Sequence, residues 1–132
     1  MSERTLLIRS DLDIVSARVE GRDLAKALGF GTIDQARIAT AISELTRNIV
    51  LYAGEGTVTL RAIERGNKRG IEVVCEDHGP GIEDVDLVMQ EGYSTSRGLG
   101  MGLPGAKRLM DEFEIQSQVG KGTRVTARKW LR

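Results

Sequence analysis

Apolar positions along the chain fall into short runs and helical stripes separated by polar punctuation. Residues 5–9 are an apolar run that reads as a strand. Ser10 is a good N-cap, and Asp11 and Asp13 favour the positive end of a helix dipole. Ile14, Ala17, Leu24 and Leu28 then mark a helix that Gly29 stops, with Gly21 an oddity in its middle. Thr32 or Asp34 opens a second helix, whose apolar face holds Ile38, Ile42, Leu45, Ile49 and Tyr52, and Gly54 ends it. Residues 57–63 alternate polar and apolar, a turn follows at Gly66-Asn67-Lys68-Arg69-Gly70, and residues 71–75 return as a second strand of a hairpin. A short helix is expected over residues 84–90, then a polar stretch without periodicity at 91–97 that reads as a mobile flap. Pro104 suits the first turn of a helix carrying Ala106, Leu109, Met110 and Phe113. Residues 113–119 and 123–131 close the chain as a hairpin around Gly120-Lys121-Gly122. This order predicts a two-layer α/β (α+β) sandwich, with helices covering one face of a mixed, mostly antiparallel sheet.

Length and charge narrow the picture. A chain of 132 residues is expected to form one domain, 1–132, with an ordinary core. Lys plus Arg total 19 and Asp plus Glu total 19, so no global footprint for nucleic acid follows. Cys75 is the one cysteine and His78 the one histidine, which excludes an internal disulfide and a zinc cage. The first apolar run is too short for a signal peptide or a membrane span, so a soluble cytoplasmic protein is expected.

Two glycine-rich stretches make little sense as packing. Glu76-Asp77-His78-Gly79-Pro80-Gly81-Ile82 follows a strand, and Gly98-Leu99-Gly100-Met101-Gly102-Leu103-Pro104-Gly105 opens a helix. Bare backbone N–H groups at such a turn suit an anion, with phosphate the natural guess. Gly100 to Gly105 spells the dinucleotide fingerprint, but no buried strand of a βαβ unit precedes it, and Gly120-Lys121 lacks the rest of a phosphate-binding P-loop. Asp77 alone would be a turn residue; beside Gly79-Pro80-Gly81 its carboxylate becomes a candidate acceptor for an adenine amine. Glu44 and Asn48 stand four apart on one helix face. Asn48 offers an amide oxygen suited to Mg²⁺ and Glu44 a carboxylate able to take a proton, although a solvated pair, with Glu44 bound to Arg47, explains the spacing more simply. Cys75 reads as a small buried hydrophobe, His78 as a loop residue and Trp130 as packing.

Taken together, the clusters resemble the GHKL ATPase/kinase superfamily. Glu44-Leu45-Thr46-Arg47-Asn48 is similar to its N box, Glu76 to Ile82 to its G1 box and Gly98 to Leu103 to its G2 box, while Gly120-Lys121-Gly122-Thr123 resembles the closing glycine-threonine motif. Phe30 to Arg37, Leu103 to Phe113 and Lys129-Trp130-Leu131-Arg132 narrow the resemblance to the anti-sigma-factor kinase family and its RsbT-type switch kinases of the bacterial stressosome.

The resemblance implies a Bergerat fold that binds ATP with Mg²⁺. It implies phosphorylation of serine or threonine on STAS-domain stressosome proteins, then binding and activation of a PP2C-type phosphatase. Asp77 would take the adenine amine, Asn48 would coordinate Mg²⁺ and Glu44 would be the general base. Gly79 and Gly81 would shape the adenine pocket, Gly98, Gly100 and Gly102 would line the phosphates, and Thr123 would support the adenine side. Residues 91–97 match the ATP lid but are few. Sensor histidine kinases share these boxes, yet the sole histidine here lies inside the adenine loop, which makes a poor phosphoacceptor. A switch that binds partners under nucleotide control, with little catalysis, is the competing expectation.

Overall fold

The computed structural model describes residues 3–89 and 102–132. The chain runs β1 (Glu3–Ile8), α1 (Asp11–Leu28), α2 (Thr32–Asn48), a π-helical turn (Ile49–Ala53), β2 (Gly56–Arg65), β3 (Lys68–Asp77), α3 (Val85–Val88), α4 (Gly102–Leu109), β4 (Glu112–Gln118) and β5 (Gly122–Trp130). The five strands lie in the order β1-β2-β3-β5-β4, and every neighbouring pair is antiparallel. The sheet expected as mostly antiparallel is antiparallel in all four of these pairs. β2 and β3 pair out to Arg65 and Lys68, so their hairpin closes over Gly66 and Asn67 alone.

Local chemistry fixes the helix ends. Ser10 Oγ accepts from the Asp13 N–H at 3.4 Å while Asp13 Oδ2 accepts from the Arg9 N–H at 2.8 Å, a reciprocal cap. Gly29 closes α1 at φ 103°, its N–H reaching the Ala25 and Lys26 carbonyls. Thr32 opens α2, with Gly31 before it as the cap and no side chain assisting. The second helix ends its regular turns at Asn48 and widens into the π-helical turn before Gly54, at φ 86°. Phe113, read both as the end of the last helix stripe and as the start of the closing strand, stands in β4, because the chain leaves α4 after Leu109.

One face of the sheet meets the helices. Ile8, Val58, Leu60, Ile71, Val73, Cys75, Val125 and Ala127 are buried there against Ile14, Ala17, Ile38, Ile42, Leu45 and Ala106. Gly21 has its reason in this layer: a Cβ there would stand 2.1 Å from Ile42 Cδ1, so the two helices cross too closely for any side chain. Lys129 is buried as well, its Nζ donating to the Leu109 carbonyl at the end of α4 at 2.9 Å.

The other face carries linked charges. Glu72 accepts from Arg61 and, at 2.7 Å, from Arg128 Nε; Glu112 accepts from Arg128 at 3.1 Å and from Arg65 at 2.6 Å. Trp130 donates its indole N–H to Glu112 at 2.9 Å and lies under Arg65, 4.8 Å from ring centroid to guanidinium carbon. The Arg65 hydrogen bond, then those of Trp130 and Arg128, hold the Glu112 carboxyl down at about 2. No helix among the described residues is long and apolar enough to cross a membrane.

Candidate nucleotide site

β3 lies at the centre of the sheet and ends at Asp77, between Gly56 of β2 and Thr123 of β5. Side chains alternate along a strand, so Asp77 shares the helix-facing side with Val73 and Cys75. Burial, with the nearby Asp77 charge behind it, pushes the Cys75 thiol well above its ordinary range. That thiol is a core group, as its position in the sequence suggests.

The loop after Asp77 is seated on both sides. Asp77 Oδ1 accepts from the Gly79 N–H at 2.9 Å, the plain turn role of such a residue, which leaves Oδ2 for a ligand. Gly79 lies against the π-helical turn, where a Cβ would come within 2.6 Å of Ala53 Cβ. Gly81 adopts φ 81°, and a Cβ there would stand 2.4 Å from the Gln118 carbonyl oxygen. Two hydrogen bonds tie the same loop to the β4–β5 hairpin: the Gly120 N–H donates to the Pro80 carbonyl at 2.8 Å, and the Ile82 N–H to Ser117 Oγ at 2.7 Å.

α2 supplies the adjoining wall. Ser43 Oγ and Thr46 Oγ1 donate back to the Ala39 and Ile42 carbonyls at 3.1 and 2.7 Å, satisfying two buried hydroxyls inside the helix. Glu44 and Asn48 follow on one face, and Asn48 is half-buried where the wide turn begins. π-Helical turns are frequent at functional sites. This one carries Ile49 against Gly56 and Ala53 against Gly79, so the helix bearing Glu44 and Asn48 also backs the Asp77 loop. Glu44 is engaged: Arg47 Nη1 donates to its Oε2 at 2.8 Å, and only 13% of its side chain is exposed. The simpler explanation of that spacing is thus present in the fold.

The structure brings Asp77, Gly79, Gly81 and Thr123 together and sets Glu44 and Asn48 on the wall beside them. Gly102 begins the described part of α4, which packs on α2, and its open side holds nothing nearer than Pro104 Cδ at 3.8 Å. Gly98, Gly100 and the flap at 91–97 lie outside the described residues. Sequence reasoning passed over Ser117 and Gly56. Ser117 was within reach, because a hairpin turning at Gly120 sets it opposite Thr123. Gly56 was not, since its need to be bare comes from Glu76 across the ladder, whose carbonyl oxygen would lie 2.3 Å from a Cβ.

Comparison with known proteins agrees with this geometry. Residues 33–132 match the family described as histidine kinase-, DNA gyrase B-, and HSP90-like ATPase. The chain is 58% identical over 125 residues to the serine/threonine-protein kinase RsbT of Bacillus subtilis (strain 168), covering 95% of this chain and 94% of that one. It is 41% identical over 107 residues to an anti-sigma F factor of Caldanaerobacter subterraneus subsp. tengcongensis, covering 76% and 73% of the two. Among solved structures it resembles a mycobacterial sensor histidine kinase, MprB, with a TM-score of 0.58 over 98% of this chain and 97% of that one. At 15% identity that likeness speaks for the fold alone. The chain belongs to the histidine kinase-, DNA gyrase B- and HSP90-like ATPase family, and within it to the ATP-dependent serine/threonine protein kinases.

Proposed function

We propose that this kinase moves the γ-phosphoryl group of ATP onto a serine or threonine of a STAS-domain stressosome protein in the cytoplasm. Released from that complex, it binds and activates a PP2C-type phosphatase. The observation that carries the nucleotide part is the loop from Asp77 to Ile82. One carboxylate oxygen is fixed by a backbone N–H at 2.9 Å, and two glycines beside it leave no room for a Cβ. The partner-switching part is supported by the relatives, one a serine/threonine kinase and others anti-sigma F factors.

In this reading Asp77 accepts the adenine amine, Gly79 and Gly81 bring backbone against the ring, and Thr123 borders it. Gly98, Gly100 and Gly102 would offer backbone N–H groups to the phosphates. The acceptor hydroxyl forms its bond to the γ-phosphorus as the bond to the β-bridging oxygen breaks, and ADP departs. Glu44 takes the hydroxyl proton, which requires Oε1 or release of Oε2 from Arg47. The donor set suits Mg²⁺. The Asn48 amide oxygen is a hard donor, and Mg²⁺ favours one or two protein oxygens plus substrate phosphates. Asn48 would hold it, and when bound it neutralises charge on the phosphates.

The engagement of Glu44 by Arg47 favours a second reading, a nucleotide-controlled binding switch with little catalysis. Incubation with γ-labelled ATP and a STAS-domain substrate separates the two. The kinase reading expects label on the substrate, at least a hundredfold less with Asn48→Ala, and little with Glu44→Gln. Partner binding intact in Glu44→Gln together with unchanged labelling removes Glu44 as the base. Absence of label from the wild type leaves the switch.

A further inference from the structure

Three polar side chains stand in one row across the end of the sheet. The register sets Asp77 of β3 beside Thr123 of β5, and Thr123 beside Ser117 of β4. Directly opposed residues in adjacent strands project from the same face. Ser117 Oγ makes three contacts. It accepts from the Ile82 N–H at 2.7 Å, donates to the Gly122 carbonyl at 3.1 Å and lies 2.9 Å from Thr123 Oγ1.

A serine hydroxyl has one proton and two lone pairs. The Gly122 carbonyl can only accept, so it takes that proton, and the Ile82 N–H takes one lone pair. The contact with Thr123 is then made by the threonine proton. With its own proton turned onto Ser117, Thr123 offers nothing but lone pairs to the cleft. Its neighbour Asp77 offers the same, since an ionised carboxylate only accepts.

We infer that Ser117 is a positioning residue that fixes Thr123 as a hydrogen-bond acceptor beside Asp77, so that the cleft takes a 6-aminopurine and rejects a 6-oxopurine. The inference rests on the ATP-site reading and deepens it. An exocyclic amine brings protons to both acceptors. A keto oxygen in the same place meets lone pairs from two adjacent strands, and no proton remains on Thr123 to receive it. Ser117 also anchors the loop that holds Gly81, so one hydroxyl governs both the shape and the polarity of this corner.

The test is a pair of titrations of the full chain, with ATP and with inosine triphosphate, which carries an oxygen where ATP carries the amine. Wild type, Ser117→Ala and Ser117→Thr are compared, with thermal melts alongside. Wild type should favour ATP by a hundredfold or more; sites built to pair a substrate donor reach roughly 10⁴–10⁵. Ser117→Ala frees the Thr123 hydroxyl to turn and donate, which should narrow the ratio by about three- to tenfold, the worth of one neutral hydrogen bond. Ser117→Thr should restore it. A Ser117→Ala protein that melts earlier but keeps the wild-type ratio within twofold makes Ser117 a sheet-packing residue and overturns the inference. Should Ser117→Ala fail to fold, Thr123→Val must narrow the ratio instead, and an unchanged ratio there is equally fatal. A wild type that binds neither nucleotide overturns the ATP-site reading itself, a failure distinct from a wild type that binds ATP with no dependence on Ser117.

Discussion

Gly81 and Gly120 form a natural controlled pair. Both adopt φ 81°, so a side chain at either meets the same left-handed strain, about 1–2 kcal/mol. Their surroundings differ. A Cβ at Gly120 has nothing within 4 Å, whereas one at Gly81 stands 2.4 Å from the Gln118 carbonyl oxygen. An aliphatic carbon approaches a carbonyl oxygen to about 3.3 Å, so Gly81→Ala forces the loop and hairpin apart by roughly 0.9 Å. That movement stretches the Gly120–Pro80 and Ile82–Ser117 hydrogen bonds, now 2.8 and 2.7 Å, beyond useful length. Two such bonds contribute about 2 kcal/mol together. If the loop gives way locally, that loss appears as about thirtyfold weaker ATP binding in Gly81→Ala than in Gly120→Ala. Calorimetric titration of wild type and both variants, with melts to show that each is folded, reads the difference directly. Equal ATP affinity in the two variants, within about threefold, refutes the claim that contact between loop and hairpin shapes the pocket.

The other predictions concern the frame. The Glu112 carboxyl is held at about 2 against an ordinary 4.5, so its contribution is complete above pH 4.5 and disappears as pH falls towards 2. Denaturant melts across that window should show falling stability in the wild type and a shallower fall in Glu112→Gln. Gly21→Ala should destabilise by about 1–3 kcal/mol through overpacking on Ile42, in spite of the better helix propensity of alanine, and urea melts will show the sign. The Cys75 thiol, buried and raised, should resist alkylation until the chain unfolds, and modification at the native rate of an exposed thiol would contradict its place in the core.

The parts of this molecule that could be read from sequence are those written in local chemistry. Ser10 with Asp13, Gly29 after a periodic run, and the alternation over residues 57–63 each state their element within a few positions. Asp77, Gly79 and Gly81 were legible for the same reason, since the whole loop is contiguous. Phe113 shows the limit: it fits both the helix stripe before it and the strand it begins, and the exit from α4 has no glycine or proline to mark it. Gly21 was visible only as a defect, because its purpose lies with Ile42 on another helix. The charge lattice of Glu72, Arg61, Arg128 and Glu112 draws on four strands, and no short window of sequence contains it. Ser117 was half legible: the hairpin at Gly120 sets it opposite Thr123, while its bond to Ile82 is written nowhere nearby. Its significance comes from Ile82 and Thr123, partners 35 and 6 positions away.

The central claim is that the Asp77 carboxylate at the end of β3 grips the adenine amine. Calorimetric titration of Mg²⁺–ATP into wild type and Asp77→Asn tests it most directly. A hydrogen bond to a charged group is worth about 1.5–3 kcal/mol, so the account predicts a clear isotherm for wild type and affinity lower by roughly ten- to a hundredfold in a folded Asp77→Asn. Equal isotherms for the two proteins, or no heat from the wild type, would contradict it.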